Sequence, residues 1–265
     1  MKYVTSSRIY SLLEGIKHIF MKILVCISNV PDTTSKISFT DNNTKLNASG
    51  IQYIIGPYDE YALSRAIELK EAAGGTVTVL NVGEADTEPT IRKALAIGAD
   101  DAIRINAFPK DAFYVASQIA VIAKSENYDL ILMGRESIDY NSGLVHGIVG
   151  ELLGIPSVSP VMKLDIEGGK AIMSREIEGG KEIVEAPLPL VAGCQEPIAE
   201  WKIPNMRGIM SARTKPLKVV EPTDVTDNVK LLNYELPAPK GACKMIDAST
   251  PEKLFDLLKN EAKVL

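Results

Sequence analysis

Histidine and cysteine are scarce. Only His18 and His146 carry imidazoles among the 265 residues, and the three thiols, Cys26, Cys194 and Cys243, lie far apart with no Cys-x-x-Cys pair. A zinc cluster, a disulfide framework, a multi-histidine metal centre or a Ser-His-Asp machine therefore has little to draw on, and the spaced thiols suit a reduced, cytoplasmic setting. Excess basic charge is also missing. With 29 Lys+Arg against 34 Asp+Glu the net charge is −5, which argues against a general nucleic-acid binder. No apolar run reaches the roughly 18 residues of a membrane span. The phosphate motifs GxxxxGK[ST] and GxGxxG are absent, and no nucleophile has a base close by in sequence. What remains is an ordinary globular composition, 46% hydrophobic and 24% charged, long enough for one sizeable core or two small ones.

The first twenty residues precede a second Met-Lys, Met21-Lys22. They are poor in Arg, contain Glu14 and lack a small-residue cleavage pattern, so residues 1–20 read as an extension or an early start rather than a targeting peptide. From Met21 short apolar runs alternate with amphipathic stretches. Lys22–Ser28, Thr76–Val82, Ala102–Ile105 and Asp129–Met133 have the continuous Val/Ile/Leu character of strands covered on both faces of a parallel sheet. Between them, Tyr58–Ala73 places Ala62, Leu63, Ala66 and Ile67 on one helical side before Gly74-Gly75. Glu88–Ile97 follows Thr87 as a candidate cap, and Ala112–Lys124 is a third helix. This alternation predicts a doubly wound α/β sheet over residues 21–220.

Beyond residue 156 the pattern changes. Val161–Ile166, Lys170–Ile177 and Lys181–Ala186 are separated by Gly168-Gly169 and Gly179-Gly180, which predicts antiparallel hairpins. Leu188–Gly193 reads as one more strand returning to the main sheet. Pro197–Pro222 reads as a long irregular stretch with Lys202, Arg207, Arg213, Lys215 and Lys218 among Met206, Ile209 and Met210, a solvated face or a docking surface. Residues 221–265 form an extended arm ending in a helix introduced by Ser249 or Thr250, with Pro251 near its start. That helix has an apolar stripe of Leu254, Leu257, Leu258 and Ala262 suited to packing on a partner.

In an open parallel sheet, ligands bind beyond the carboxyl ends of the strands at the switch point. Ser28–Asp32, Asn81–Glu84 and Gly134–Gly143 fall there, the last leading into a helix over Leu144–Leu153 whose first amides suit a phosphate. Each of these features also has a plain structural reading. Asp59 and Glu60 suit the dipole at a helix start, Arg135 and Glu136 a solvated pair, His146 a packing role, and Cys26 a small buried hydrophobe. No catalytic set assembles.

Several blocks resemble a known family, the beta subunit of electron transfer flavoprotein, from Met21 to about Pro222. KILVCISNVPDT (Lys22–Thr33) resembles its opening strand and VPD turn, and GPYDEYAL (Gly56–Leu63) its NPxDEYAL-type helix start. TIRKALAIGADDAI (Thr90–Ile103), DLILMGRESID (Asp129–Asp139), SREIEGGKEIVEAPLPLV (Ser174–Val191) and NMRGIMSARTKPL (Asn205–Leu217) resemble further family blocks in the same order.

The resemblance implies an adenine nucleotide α-hydrolase-like fold and a heterodimer. An alpha subunit would hold most of the FAD, and this chain would hold AMP, or a second flavin in bifurcating members, with no bond chemistry of its own. Electrons would come from acyl-CoA dehydrogenases or similar flavoenzymes and pass to the quinone oxidoreductase. Carried over by position, the nucleotide would contact Cys26, Gly56, Pro57, Tyr58, Asp59, Val82, Gly134, Arg135, Asp139, Asn141, Gly143, Leu144 and Val145. A recognition loop would present Ile203, Met206, Ile209 and Met210. The chain departs from the family pattern at Ser28, where many members have Lys, at Gly56-Pro57 in place of Asn-Pro, and at Val145-His146-Gly147 in place of Thr-Gly-Gln. Backbone amides would then carry the phosphate. Two other readings share the α/β core: a homodimeric nucleotide-binding regulatory module, which leaves the Gly-Gly hairpins unexplained, and an ATP-consuming α-hydrolase, for which SNVPDTTS offers no glycine cluster.

Overall fold

A computed structural model describes residues 20–265; apart from Phe20, the extension expected over residues 1–20 lies outside them. The apolar runs become the inner strands of a sheet. In chain order the strands are β1 (Met21–Cys26), β2 (Asn29–Pro31), β3 (Phe39–Thr40), β4 (Lys45–Leu46), β5 (Tyr53–Ile55), β6 (Gly75–Val82), β7 (Asp101–Ile105) and β8 (Leu130–Gly134). They continue with β9 (Ser157–Glu167), β10 (Lys170–Ile177), β11 (Gly180–Pro187), β12 (Leu190–Cys194) and β13 (Leu217–Val220). The helices are α1 (Pro57–Ala73), α2 (Glu88–Ile97), α3 (Ala112–Glu126), α4 (Val145–Leu153), α5 (Met206–Ala212) and α6 (Glu252–Asp256).

Nine strands share one sheet in the order β11-β10-β9-β12-β8-β1-β6-β7-β13. β1 pairs in parallel with β6 on one side and β8 on the other. Chain progress from β1 runs outward through β6 and β7, then reverses to β8, so the switch point lies between β1 and β8. Along β1 the side chains alternate: Ile23, Val25 and Ile27 enter the core shared with α1 and α2, while Leu24 and Cys26 enter the one shared with α3 and α4. This period of two across a sheet covered on both faces defines the doubly wound α/β class.

The Gly-Gly turns close antiparallel hairpins, β9 with β10 and β10 with β11. β12 returns to the main sheet in parallel between β8 and the first half of β9. The stretch after Pro197 is more ordered than its composition suggests. Asn205 caps α5, its side-chain oxygen accepting the Gly208 N–H at 2.8 Å, and β13 adds an edge strand parallel to β7. Thr87 does not cap α2; its hydroxyl donates to the Glu84 carbonyl in the 3₁₀ turn Ala85–Thr87. At the C-terminal helix neither Ser249 nor Thr250 caps. Both fold onto Asp247, and Pro251 takes the cap position.

Two compact units divide the described chain. The larger takes residues up to 36 and 48–231, with the nine-stranded sheet. The smaller joins Ile37–Asn47 to Leu232–Leu265. Inside it β3 pairs with β4, the Phe39 and Tyr234 rings stack at 4.9 Å, and Tyr234 N–H donates to the Asn43 carbonyl. No helix among the described residues is long and apolar enough to cross a membrane.

Candidate functional site

Strand ends set the site. Cys26 closes β1, Val82 closes β6 and Gly134 closes β8, all buried. Gly56 is the N-cap of α1 and Pro57 its first residue, where a missing N–H costs nothing. Tyr58 and Asp59 follow in the first turn. Asp59 is only 5% exposed, and its carboxylate accepts three hydrogen bonds: the Ser28 N–H at 2.8 Å, the Ser28 hydroxyl at 2.6 Å and the Gly134 N–H at 2.7 Å. In sequence Asp59 reads as a complement to the helix dipole; the fold uses it to tie α1 to the ends of β1 and β8. Burial raises its pKa to about 6 against the pull of these donors. Neighbouring Glu60 is also buried and accepts from Lys93 Nζ at 2.7 Å.

Arg135 and Glu136 do pair, at 2.9 Å, but not as a simple solvated couple. The guanidinium lies over the Tyr58 ring at 4.8 Å and donates to Gln195 Oε1, while Gln195 Nε2 donates to Glu176 of β10. Tyr58 is thus held flat beneath a cation at the mouth of the site. Asp139 and Asn141 are exposed in the loop after β8, and Asn141 and Gly143 have φ of 50° and 58°. The loop returns far enough that a Cβ on Gly143 would sit 3.6 Å from the Arg135 carbonyl.

Leu144 is the N-cap of α4 and Val145 its first residue, with no side chain capping the first amides. A helix start leaves those N–H groups without intrahelical acceptors, and a Cβ on Gly147 would meet nothing within 4 Å. Uncapped amides at a helix start are the kind of donors that suit an anion. His146 lies against the end of β12 and reaches the Arg135 backbone. It packs against Gly193, where a Cβ would lie 2.8 Å from its ring, and burial holds its pKa below the ordinary value. Cys26 and Cys194 are buried thiols whose pKa values rise through desolvation and the nearby Asp59 charge.

Asn81 opens the Asn81–Glu84 segment expected at a strand end, although the sequence assigns no role to its side chain. It is 2% exposed, its amide donates to the Ile27 carbonyl at 2.9 Å, and its Oδ1 has no hydrogen-bond partner among the described residues. The signal for it was a lone Asn inside the apolar run TVTVLNV. Gln195 and Glu176 were invisible as site residues, because only strand order brings them beside Arg135; Ser28 lies in the expected Ser28–Asp32 segment, but its bonds to Asp59 have no local signal.

Ile203, Met206, Ile209 and Met210 belong to a different surface. α5 packs on the last turn of α2, where a Cβ on Gly208 would lie 2.2 Å from the Ala96 carbonyl oxygen. Arg92 anchors it by donating to the Ala212 and Lys215 carbonyls. Ile203 and Met206 are each 74% exposed, with Met210 and Ile209 beside them. A groove of ≈ 380 Å³ lies elsewhere, along Arg65, Lys163, Asp165 and Pro197, and one of ≈ 640 Å³ runs between α2 and α5, lined by Pro89, Arg92, Lys93, Ile209 and Arg213.

Comparison with known proteins agrees with these blocks. The family described as the electron transfer flavoprotein domain matches residues 44–225. The electron transfer flavoprotein subunit beta of Bacillus subtilis (strain 168) is 36% identical over 259 residues, covering 92% of this chain and all of the relative. The protein of the same name from Syntrophomonas wolfei is 37% identical over 250 residues, 92% of this chain and 98% of that one. The acryloyl-CoA reductase electron transfer subunit gamma of Anaerotignum propionicum is 31% identical over 259 residues, 90% of this chain and 97% of that one. With the ordered sequence blocks and the doubly wound sheet, these matches establish that the chain belongs to the electron transfer flavoprotein family, among its beta subunits.

Proposed function

We propose that this chain is the nucleotide-carrying half of a heterodimeric electron carrier that works in the cytoplasm. An alpha-type subunit holds FAD, and this subunit shapes the flavin's surroundings while binding AMP at its own switch point. Electrons arrive from acyl-CoA dehydrogenases or similar flavoenzymes and leave to an electron transfer flavoprotein–quinone oxidoreductase. This chain makes and breaks no bonds itself.

The observation that carries the reading is the convergence of family membership with a fitting cradle: three strand ends, uncapped amides at the start of α4, and the unpartnered buried Oδ1 of Asn81. These donors and acceptors suit a phosphate and an adenine edge, with Val145, His146 and Gly147 contributing backbone where relatives use side chains. The name of the relative serving acryloyl-CoA reductase favours a CoA-ester oxidoreductase as the exchange partner. α5 supports a docking role, because its Met206 and Met210 side chains, with Ile203 just before it, are exposed at a short, well-anchored helix. Short-lived electron-transfer encounters use small surfaces of this kind.

The test is to co-express the chain with an alpha-type subunit, purify the complex and identify the released cofactors by chromatography. One FAD and one AMP per heterodimer are expected. Two FAD would indicate a bifurcating carrier, FAD alone would remove the AMP assignment, and failure to form a complex would return the chain to the homodimeric regulatory reading.

A further inference from the structure

Both oxygens of the Asp59 carboxylate are engaged by the protein. Oδ2 accepts from the Ser28 N–H and hydroxyl, and Oδ1 accepts from the Gly134 N–H. Ser28 lies just beyond β1 and Gly134 ends β8, the two strands between which the sheet order reverses. The neighbouring glycines serve this carboxylate. A Cβ on Gly56 would lie 2.4 Å from Ser28 Oγ and 2.5 Å from Asp59 Oδ2, and one on Gly134 would lie 2.7 Å from Oδ1. At 5% exposure, and with its near approaches filled by protein atoms, Asp59 is poorly placed to receive a ligand directly.

We propose that Asp59 is a positioning residue: ionised, it holds the loops after β1 and β8 at the spacing at which they receive the nucleotide, and its protonation loosens that cradle. The proposal rests on the nucleotide reading above but changes the part Asp59 plays in it. A neutral carboxyl carries an O–H on one oxygen, so the three donors no longer face two fully accepting oxygens. Either the Ser28 side or the Gly134 side of the clamp is then weakened.

The charged and titratable neighbours are few. Cys26 at the end of β1 and Cys194 at the end of β12 stay thiols, and β6 and β8 carry no titratable residue. Asp139 in the loop after β8 opposes the Asp59 charge. Arg135, above Tyr58, is paired with Glu136, and Glu60 is paired with Lys93. His146 on α4 is the neighbour whose ordinary range overlaps, and burial moves it to lower pH. Desolvation brings Asp59 itself to about 6.

The experiment uses the labelled full chain between pH 5 and 8. Amide exchange of Ser28 and Gly134 and the carboxyl carbon shift of Asp59 are followed by NMR, and AMP binding is followed by calorimetry. The protection factors of both amides, exchange being divided by its intrinsic base-catalysed rate at each pH, should fall tenfold or more toward pH 5 with the midpoint of Asp59 itself. AMP's own phosphate also titrates near pH 6, and His146 titrates below its ordinary range, so the binding readout is the affinity ratio of wild type to Asp59→Asn. That ratio should be at least tenfold at pH 7.5 and approach one at pH 5. Ser28→Ala, which keeps the buried carboxylate, should bind AMP several-fold more weakly at pH 7 and move the Asp59 midpoint upward. Protection factors insensitive to pH, or an affinity ratio constant with pH, would overturn the proposal. If the amides follow Asp59 but wild type takes no AMP at any pH, the clamp stands and the nucleotide reading is what fails.

Discussion

Glycine at position 134 is required by its neighbours. A methyl group there would stand 2.7 Å from both Asp59 Oδ1 and the Tyr58 Cβ, and 3.0 Å from the Asp59 amide nitrogen. Gly147, one turn into the next helix, faces open space. The two therefore make a matched pair for one substitution. Gly134→Ala is expected to destabilise the chain by about 2–3 kcal/mol through overpacking at the carboxylate. Gly147→Ala is expected to be neutral or up to about 1 kcal/mol stabilising, as for other helical glycines. Urea unfolding midpoints with unchanged slopes would check both. The resemblance counts Gly134 among the nucleotide contacts; the close approach there is made by Asp59. No local pattern distinguishes these cases, since the atoms that decide them come from residues 58 and 59, distant along the chain.

At the scale of elements, α5 divides anchoring from display. Asn205 caps it, Gly208 lets it lie on the last turn of α2, and Arg92 ties its end through two carbonyls. Ile203, Met206 and Met210 contribute little to that seat and remain exposed. Ile203→Ala with Met206→Ala should change thermal stability by no more than about 0.5 kcal/mol and leave flavin content unchanged. Flavin reduction by a donor dehydrogenase, followed by stopped flow, should slow several-fold; equal rates would reject the docking assignment. The longer elements were legible because their patterns were strong: Val/Ile/Leu runs for β1, β6, β7 and β8, and Gly-Gly turns for the hairpins. α5 and β13 were not. Seven residues with a central glycine, and four with a central lysine, carry too little periodicity. Their conformations come from packing on α2 and pairing with β7.

For the whole molecule, charge is unevenly spread. The chain is −5 overall, yet residues 202–220 carry Lys202, Arg207, Arg213, Lys215 and Lys218 and no carboxylate. Lys202 is paired with Glu71, whereas Arg207, Arg213 and Lys218 are exposed and form no ion pair with the described residues. A local positive field beside the displayed Met and Ile side chains accelerates encounter with an acidic partner surface and is screened within about 8 Å at physiological salt. The association rate with an acidic donor should therefore fall about tenfold or more between 50 and 500 mM salt. The dissociation rate, set by the apolar contacts, should change far less. A salt-independent association rate in stopped-flow measurements would remove the steering role.

The sequence by itself determined the α/β class, the parallel direction of the inner strands, the antiparallel hairpins and the family blocks, because each is written in local spacing: a period of two, a helical stripe, a glycine pair. It also placed Ser28–Asp32, Asn81–Glu84 and Gly134–Gly143 among the ligand-facing segments, through the rule that such sheets bind at strand ends. Only the tertiary structure decided what those residues do there. The order of strands brings Ser28 and Gly134 to one buried carboxylate, sets Arg135 over Tyr58 and leaves Asn81 Oδ1 without a partner. Contacts among residues so distant along the chain depend on packing, desolvation and the reversal between β1 and β8, none of which has a local signature.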